Sequence, residues 1–125
     1  MKKVLMVDDD DTILFTFRIS MEDLGADYHI ETAKNGVECL EKLQNDNMPD
    51  IVLMDIMMPV MDGWETIQNI RQDPTMDSLP IIVLTARTDH LVEKVSAFKN
   101  VFSMEKPFES AELKRKIDTI LISSS

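Results

Sequence analysis

Three runs of this chain are apolar at consecutive rather than alternate positions: residues 3–7 (KVLMV), 51–54 (IVLM) and 81–84 (IIVL). A strand with one wet face alternates polar and apolar side chains, so unalternating runs rich in Val and Ile require cover on both faces. Residues 28–32 (YHIET) do alternate and are expected at a sheet edge, and 101–104 (VFSM) form a fifth candidate strand. Between the runs, apolar residues recur at three- and four-residue steps, the mark of amphipathic helices. The stripes are Leu14, Phe17, Met21 and Leu24, closed by Gly25; Val37, Leu40 and Leu43; and Trp64, Ile67 and Ile70, entered at Asp62-Gly63. Two more follow: Leu91, Val95 and Phe98, then Leu113, Ile117, Ile120 and Leu121 with Ser110 as the expected N-cap. Strand and helix alternate five times, which predicts an α/β fold: one parallel sheet with helices on both faces.

At 125 residues the chain is expected to be one domain over residues 1–122, with 123–125 as a frayed tail. No apolar stretch approaches the roughly 20 residues that span a bilayer. The opening Met-Lys-Lys runs directly into a strand pattern, so neither a secretory segment nor a membrane span is expected, and the location is expected to be cytoplasmic. A net charge of -10 argues against non-specific binding to nucleic acid or to an anionic membrane surface. The single cysteine, Cys39, excludes an internal disulfide and a multi-thiolate zinc site, and reads as a packing residue. His29 and His90 have no partner at ligand spacing and read as surface residues.

In open parallel sheets, ligands sit beyond the carboxyl ends of the strands, where strand order reverses. Strand one ends into Asp8, Asp9, Asp10 and Asp11, strand three at Asp55, strand four at Thr85, and strand five near Lys106-Pro107. Carboxylates from two strand ends raise each other's proton affinity, a conflict that a divalent cation removes. Oxygen-only ligands suit Mg²⁺ or Mn²⁺ rather than zinc. An aspartate beside such a cation can act as a nucleophile toward a phosphoryl group, with a hydroxyl and an ammonium stabilising the transferring charge. Asp10 and Asp11 fall where acidic side chains accept the free N–H groups of a helix start.

The stretches "VLMVDDD", "PDIVLMDIMMPVMDGWE", "LPIIVLTAR" and "EKPF", in this order and spacing, resemble the receiver domain of two-component response regulators over nearly the whole chain. The resemblance implies a flavodoxin-like five-stranded sheet of order 2-1-3-4-5. It implies Asp55 as phosphoacceptor, and Mg²⁺ (or Mn²⁺) held by Asp9, Asp55 and the backbone carbonyl of Met57, with Asp8 acting through water. Thr85 and Lys106 would contact the phosphoryl group, and a cis peptide would join Lys106 to Pro107. The implied partners are a sensor histidine kinase or histidine phosphotransfer protein as donor and a downstream protein target, with no direct role for nucleic acid or membrane. The chain would catalyse only its own phosphorylation and dephosphorylation, as a stand-alone receiver or one cut from a larger protein. Target binding is expected through the fourth and fifth helices and the fifth strand. Met57 and Arg87 occupy positions that tune dephosphorylation in the family, and Met57, Met58 and Met61 leave a partly apolar rim.

Two departures from the family pattern bear on signalling. Receivers commonly place an aromatic residue three positions before the lysine, whereas Ser103 stands there, and Phe102, one residue off, is expected to point to the opposite face. Lys99-Asn100 replaces the usual Gly-Ala. Signalling is therefore expected to rely on Thr85 and segment 86–100 without an aromatic flip. An enzyme-class alternative also exists: Asp8-x-Asp10-x-Thr12 after an apolar strand fits the first motif of haloacid-dehalogenase-type phosphatases, with Asp8 as nucleophile and Asp10 as acid/base. It lacks an acidic pair beyond the lysine at another strand end, and it leaves "LMDIMMPVMDG" without a role. A third reading, a receiver-like adaptor that never carries phosphate, is disfavoured by the complete acceptor set.

Overall fold

The computed structural model describes residues 1–44, 48–58, 60–86 and 88–124. Pro59 and Arg87, the latter expected to tune dephosphorylation, lie outside these residues. Five strands, β1 (Lys2–Val7), β2 (Tyr28–Ala33), β3 (Ile51–Asp55), β4 (Ile81–Thr85) and β5 (Val101–Glu105), form one parallel sheet of order β2-β1-β3-β4-β5. The helices are α1 (Asp11–Asp23), α2 (Gly36–Leu43), α3 (Gly63–Arg71), α4 (Leu91–Ser96) and α5 (Ser110–Ser124), with a 3₁₀ turn at Pro74–Met76 that the helical patterning did not announce. The expected α/β class, sheet order and edge position of β2 are thus observed.

Two apolar layers sandwich the sheet. Leu5, Val7, Val52, Met54, Ile81, Val83 and Val101 face Cys39, Leu43, Ile67 and Ile70 of α2 and α3, with Trp64, Val95 and Phe98 packed alongside. Val4, Met6, Ile51, Leu53, Ile82 and Leu84 face Leu14, Phe17 and Met21 of α1 and Leu113, Ile117, Ile120 and Leu121 of α5. The strict alternation along each strand explains why the sequence runs look uniformly apolar: both faces are dry. β3 and β4 are buried at every residue.

Local chemistry sets the helix ends. Asp10, Asn35 and Asp62 are N-caps whose side chains accept backbone N–H groups at 2.8, 2.9 and 2.8 Å. α1 closes in a Schellman motif: Ala26 N–H donates to Met21 O at 2.9 Å and Gly25 N–H to Glu22 O at 3.0 Å, with Gly25 at φ +70°. Leu24, expected in the stripe of α1, is the C-cap and is exposed. Val37 is also exposed, because α2 turns Gly36, Cys39 and Leu43 inward. A Cβ at Gly36 would lie 2.1 Å from Thr66 Oγ1, so the close approach of α3 fixes that rotation. Phe98 contributes to the core from beyond the C-cap of α4, Ala97. Ser110 is the first residue of α5 rather than its cap. Glu109 O accepts from Leu113 N–H at 3.2 Å, and Glu109 N–H donates to Glu112 Oε1 at 3.3 Å, half of a capping box. The helix also continues through Ser123 to Ser124, where a tail was expected, and Ser123 Oγ donates to Thr119 O at 3.1 Å.

Candidate functional site

Register builds the site. Val7 pairs with Met54, so Asp8 follows beside Asp55 at the carboxyl ends of two adjacent strands. Asp55 pairs with Leu84 and Thr85 pairs with Glu105, which brings Thr85 and Lys106 to the same edge. Lys106 N–H donates to Thr85 O at 2.9 Å, extending the ladder one residue past β5. The connections after β1 and β3 leave to opposite faces of the sheet, so the crevice lies where strand order reverses.

Asp8, Asp9 and Asp55 each present a carboxylate oxygen, and these oxygens all lie within 4.8 Å of one another. Asp8 and Asp55 are buried and Asp9 is exposed. Asp8 Oδ1 accepts from Asp10 N–H at 2.9 Å, while its Oδ2 is buried with no hydrogen-bond partner among the described residues. Burial pushes the Asp8 carboxyl from 3.8 up to about 6, against the pull of the Asp10 N–H, and the charge on Asp55 adds to the rise. Burial also raises Asp55, partly offset by Lys106, whose Nζ lies 3.6 Å from Asp55 Oδ1, and by Met57 N–H at 3.3 Å from the same oxygen. Thr85 is buried at the end of β4. The Lys106-Pro107 peptide is cis, as the resemblance implied.

This arrangement fits a hard divalent cation. Three oxygen donors converge, and among the described residues a buried carboxylate oxygen has no hydrogen-bond partner. Charge crowding there is a cost that a bound cation relieves. A Cβ on Gly63 would come within 2.7 Å of Asp55 O, so α3 begins directly against the backbone of Asp55. A cleft of about 600 Å³ opens beside Thr85, lined also by Met57, Asp62, Trp64, Leu91 and Lys94.

Among the described residues, Asp8, Asp9, Asp55, Met57, Thr85 and Lys106 lie at or beside this edge, whereas Phe102 and Ser103 lie within the fifth strand. Phe102 packs on the α1/α5 face, with Ile82 as its register partner, as pleat alternation requires. Ser103, paired with Val83, falls on the α4 face. Asp10, acid/base in the phosphatase alternative, instead accepts from Thr12 N–H as the cap of α1. The exposed histidines lie beside carboxylates, His29 at 3.7 Å from Glu31 and His90 at 3.5 Å from Glu93. Sequence reasoning missed Arg71, whose guanidinium donates to the carbonyls of Lys99, Met76, Leu79 and Asn100 at 2.8, 2.8, 2.6 and 3.3 Å and ties α3 to the segment before β5. A lone basic residue in the last turn of a helix reads only as a complement to the dipole. The left-handed φ of +70° at Val60, in the loop after Asp55, was equally unannounced.

The family model of the response regulator receiver domain matches residues 4–118. The response regulator MprA of Mycobacterium sp. (strain KMS) is 39% identical over 121 residues, covering 95% of this chain and 50% of that protein. The chain therefore spans about half the length of the curated relatives it matches. Chemotaxis protein CheY4 of Vibrio cholerae superposes with a TM-score of 0.84 at 31% identity, covering 96% of this chain and 98% of that one. The receiver domain of sensor histidine kinase PA1611 from Pseudomonas aeruginosa, solved with a magnesium ion coordinated in its active site cleft, gives a TM-score of 0.81 at 26% identity, covering 96% of this chain and 97% of that one. Among the described residues, no helix is long and apolar enough to cross a membrane. A match this long, on a sheet of the same order, settles ancestry: the chain belongs to the receiver domain family of two-component response regulators.

Proposed function

We propose that this receiver takes a phosphoryl group from a phosphohistidine, on a sensor kinase or a phosphotransfer protein, onto Asp55 and presents the altered surface to a downstream protein. The observation that carries this reading is the convergence of Asp8, Asp9 and Asp55 with the Lys106 ammonium 3.6 Å from Asp55 Oδ1. A carboxylate oxygen of Asp55 forms the new O–P bond as the P–N bond to the donor imidazole breaks, and the electron pair leaves with the imidazole, which takes up a proton. Met57 N–H and Lys106 hold Asp55 Oδ1 and orient the carboxylate for attack. Thr85, at the adjacent strand end, donates its hydroxyl proton to a phosphoryl oxygen, and Lys106 neutralises charge there. Asp9, Asp55 and the Met57 carbonyl, with Asp8 through water, would hold Mg²⁺ or Mn²⁺, which supplies positive charge to the phosphoryl oxygens. Water later attacks phosphorus, releasing inorganic phosphate and restoring the Asp55 carboxylate. The chain thus turns over only its own modification.

Incubation with Mg²⁺ and a small acyl phosphate, followed by trapping and mass spectrometry, tests the assignment. Label on Asp55, absent from Asp55→Asn and from protein in EDTA, is expected. Label on Asp8 would instead support ester hydrolysis of the dehalogenase type, and no label at all would leave an adaptor that never carries phosphate.

A further inference from the structure

The α4 face of β5 has Ser103 where a ring is usual, so a different group must connect the acceptor site to α4. We propose that Trp64 is that connection: it reads the state of Asp55 at the start of α3 and passes it to α4 through Phe98 and Lys94. The inference rests on the assignment of Asp55 as phosphoacceptor.

Three observations place Trp64 in this role. The first is its attachment to the acceptor. Trp64 follows Gly63, whose N–H donates to Ile56 O at 3.1 Å and whose missing Cβ would lie 2.7 Å from Asp55 O and 2.5 Å from Ile56 Cδ1. Close-packed contacts transmit displacement rather than absorb it, so α3 cannot keep its position if the backbone at Asp55 shifts. The second is its attachment to α4. The Trp64 and Phe98 rings stack with centroids 6.4 Å apart and planes within 12°, and Lys94 Nζ stands 5.6 Å from the Trp64 ring centroid. One α3 residue thus engages α4 at Lys94 and the chain just past its C-cap at Phe98. The third is the light anchoring of α4. It is six residues long, its N-cap His90 is left-handed at φ 54° and makes no side-chain capping bond, and only Leu91 of the helix is buried. The Arg71 fork holds the other end, at Lys99 and Asn100.

The cleft between these parts has Thr85 on one wall and Trp64, Leu91 and Lys94 on the others. A phosphoryl group on Asp55 that draws Thr85 toward it therefore reshapes the space the indole borders. Trp64 sees the event from both sides, through the α3 start and through the cleft.

Trp64 is the chain's single tryptophan, so its fluorescence reports this position alone. The test pairs Trp64 emission with hydrogen exchange over residues 91–98, in the 125-residue chain before and after treatment with Mg²⁺ and acetyl phosphate, and counts label on Asp55 by mass spectrometry. The expected result is a shifted emission and altered exchange at 91–98 in proportion to label. Phe98→Leu and Lys94→Gln are expected to keep the label on Asp55 and lose most of the exchange change at α4. Lys94 is on the surface, so that variant folds even if Phe98→Leu does not. Label on Asp55 with no emission change, or an α4 response that survives both variants, would overturn the role of Trp64 and leave the acceptor assignment standing. Absence of label would overturn both.

Discussion

Replacing Asp8 by Asn should stabilise the metal-free protein while removing much of what a divalent cation adds. Asp8 is 1% exposed, its Oδ1 accepts the Asp10 N–H at 2.9 Å, and its Oδ2 has no hydrogen-bond partner among the described residues. Its carboxyl is lifted from 3.8 to about 6, chiefly by burial. At about 1.4 kcal/mol per pH unit, ionised Asp8 therefore costs the folded state about 3 kcal/mol. Because the cluster opens to solvent at Asp9, screening reduces the figure to about 1–2 kcal/mol. The sign follows from the raised value: the cost is absent below the unfolded value of 3.8, grows as pH rises toward about 6, and is complete above it. Asparagine keeps an oxygen for the Asp10 N–H and removes the charge. Thermal unfolding in EDTA at neutral pH should show the Asp8→Asn midpoint higher by roughly 3–8 °C, with the difference vanishing near pH 4. Added Mg²⁺ should then raise the wild-type midpoint more than the variant's. An Asp8→Asn protein no more stable than wild type in EDTA, or a difference unchanged at acid pH, would show that crowding of desolvated carboxylates is not a cost the metal-free fold carries.

Three further outcomes follow from the structure. Val60 is 84% exposed at φ +70°, a conformation that L residues adopt at a cost of about 1–2 kcal/mol, so Val60→Asn should raise the unfolding free energy in urea by about 1 kcal/mol. Arg71→Met deletes a guanidinium bonded to four carbonyls and should lower stability by about 2–4 kcal/mol in the same assay, with Arg71→Lys recovering only part because an ammonium cannot reproduce the fork. Burial alone would raise the Asp118 carboxyl, but hydrogen bonds from Lys114 and Tyr28 outweigh it and hold it below the usual value. That network adds stability above the unfolded value of 3.8 and loses it as pH falls through the folded one, so the gap between wild type and Asp118→Asn should narrow in acid unfolding curves.

The fold was legible because a doubly covered parallel sheet imposes patterns that little else produces. Runs such as Ile51–Asp55 and Ile81–Thr85 have no wet face to interrupt them. The site was legible for a related reason: chemistry at strand ends needs residue types that a buried strand otherwise avoids, so Asp8 and Asp55 stand out against their neighbours. What stayed hidden depends on contacts between distant segments. Val37 and Cys39 both suit an inward position on α2, and only the approach of α3 to Gly36 decides between them. Ser110 has the better capping side chain, yet Glu112 reaching back to Glu109 N–H moves the cap one residue earlier. Val60 shows the opposite of a signal, since a β-branched residue argues against a left-handed conformation. Trp64 and Phe98 each read as core stripe. Their stacking belongs to the packing of α3 against the end of α4, which no periodicity in either segment encodes.

The most direct measurement of the central claim is anomalous diffraction from crystals of this protein soaked in Mn²⁺. One strong peak is expected within coordination distance of a carboxylate oxygen of Asp9 and of one of Asp55, with Asp8 in the next layer out. A peak held by other carboxylates, with Asp9 and Asp55 left bare, would contradict it.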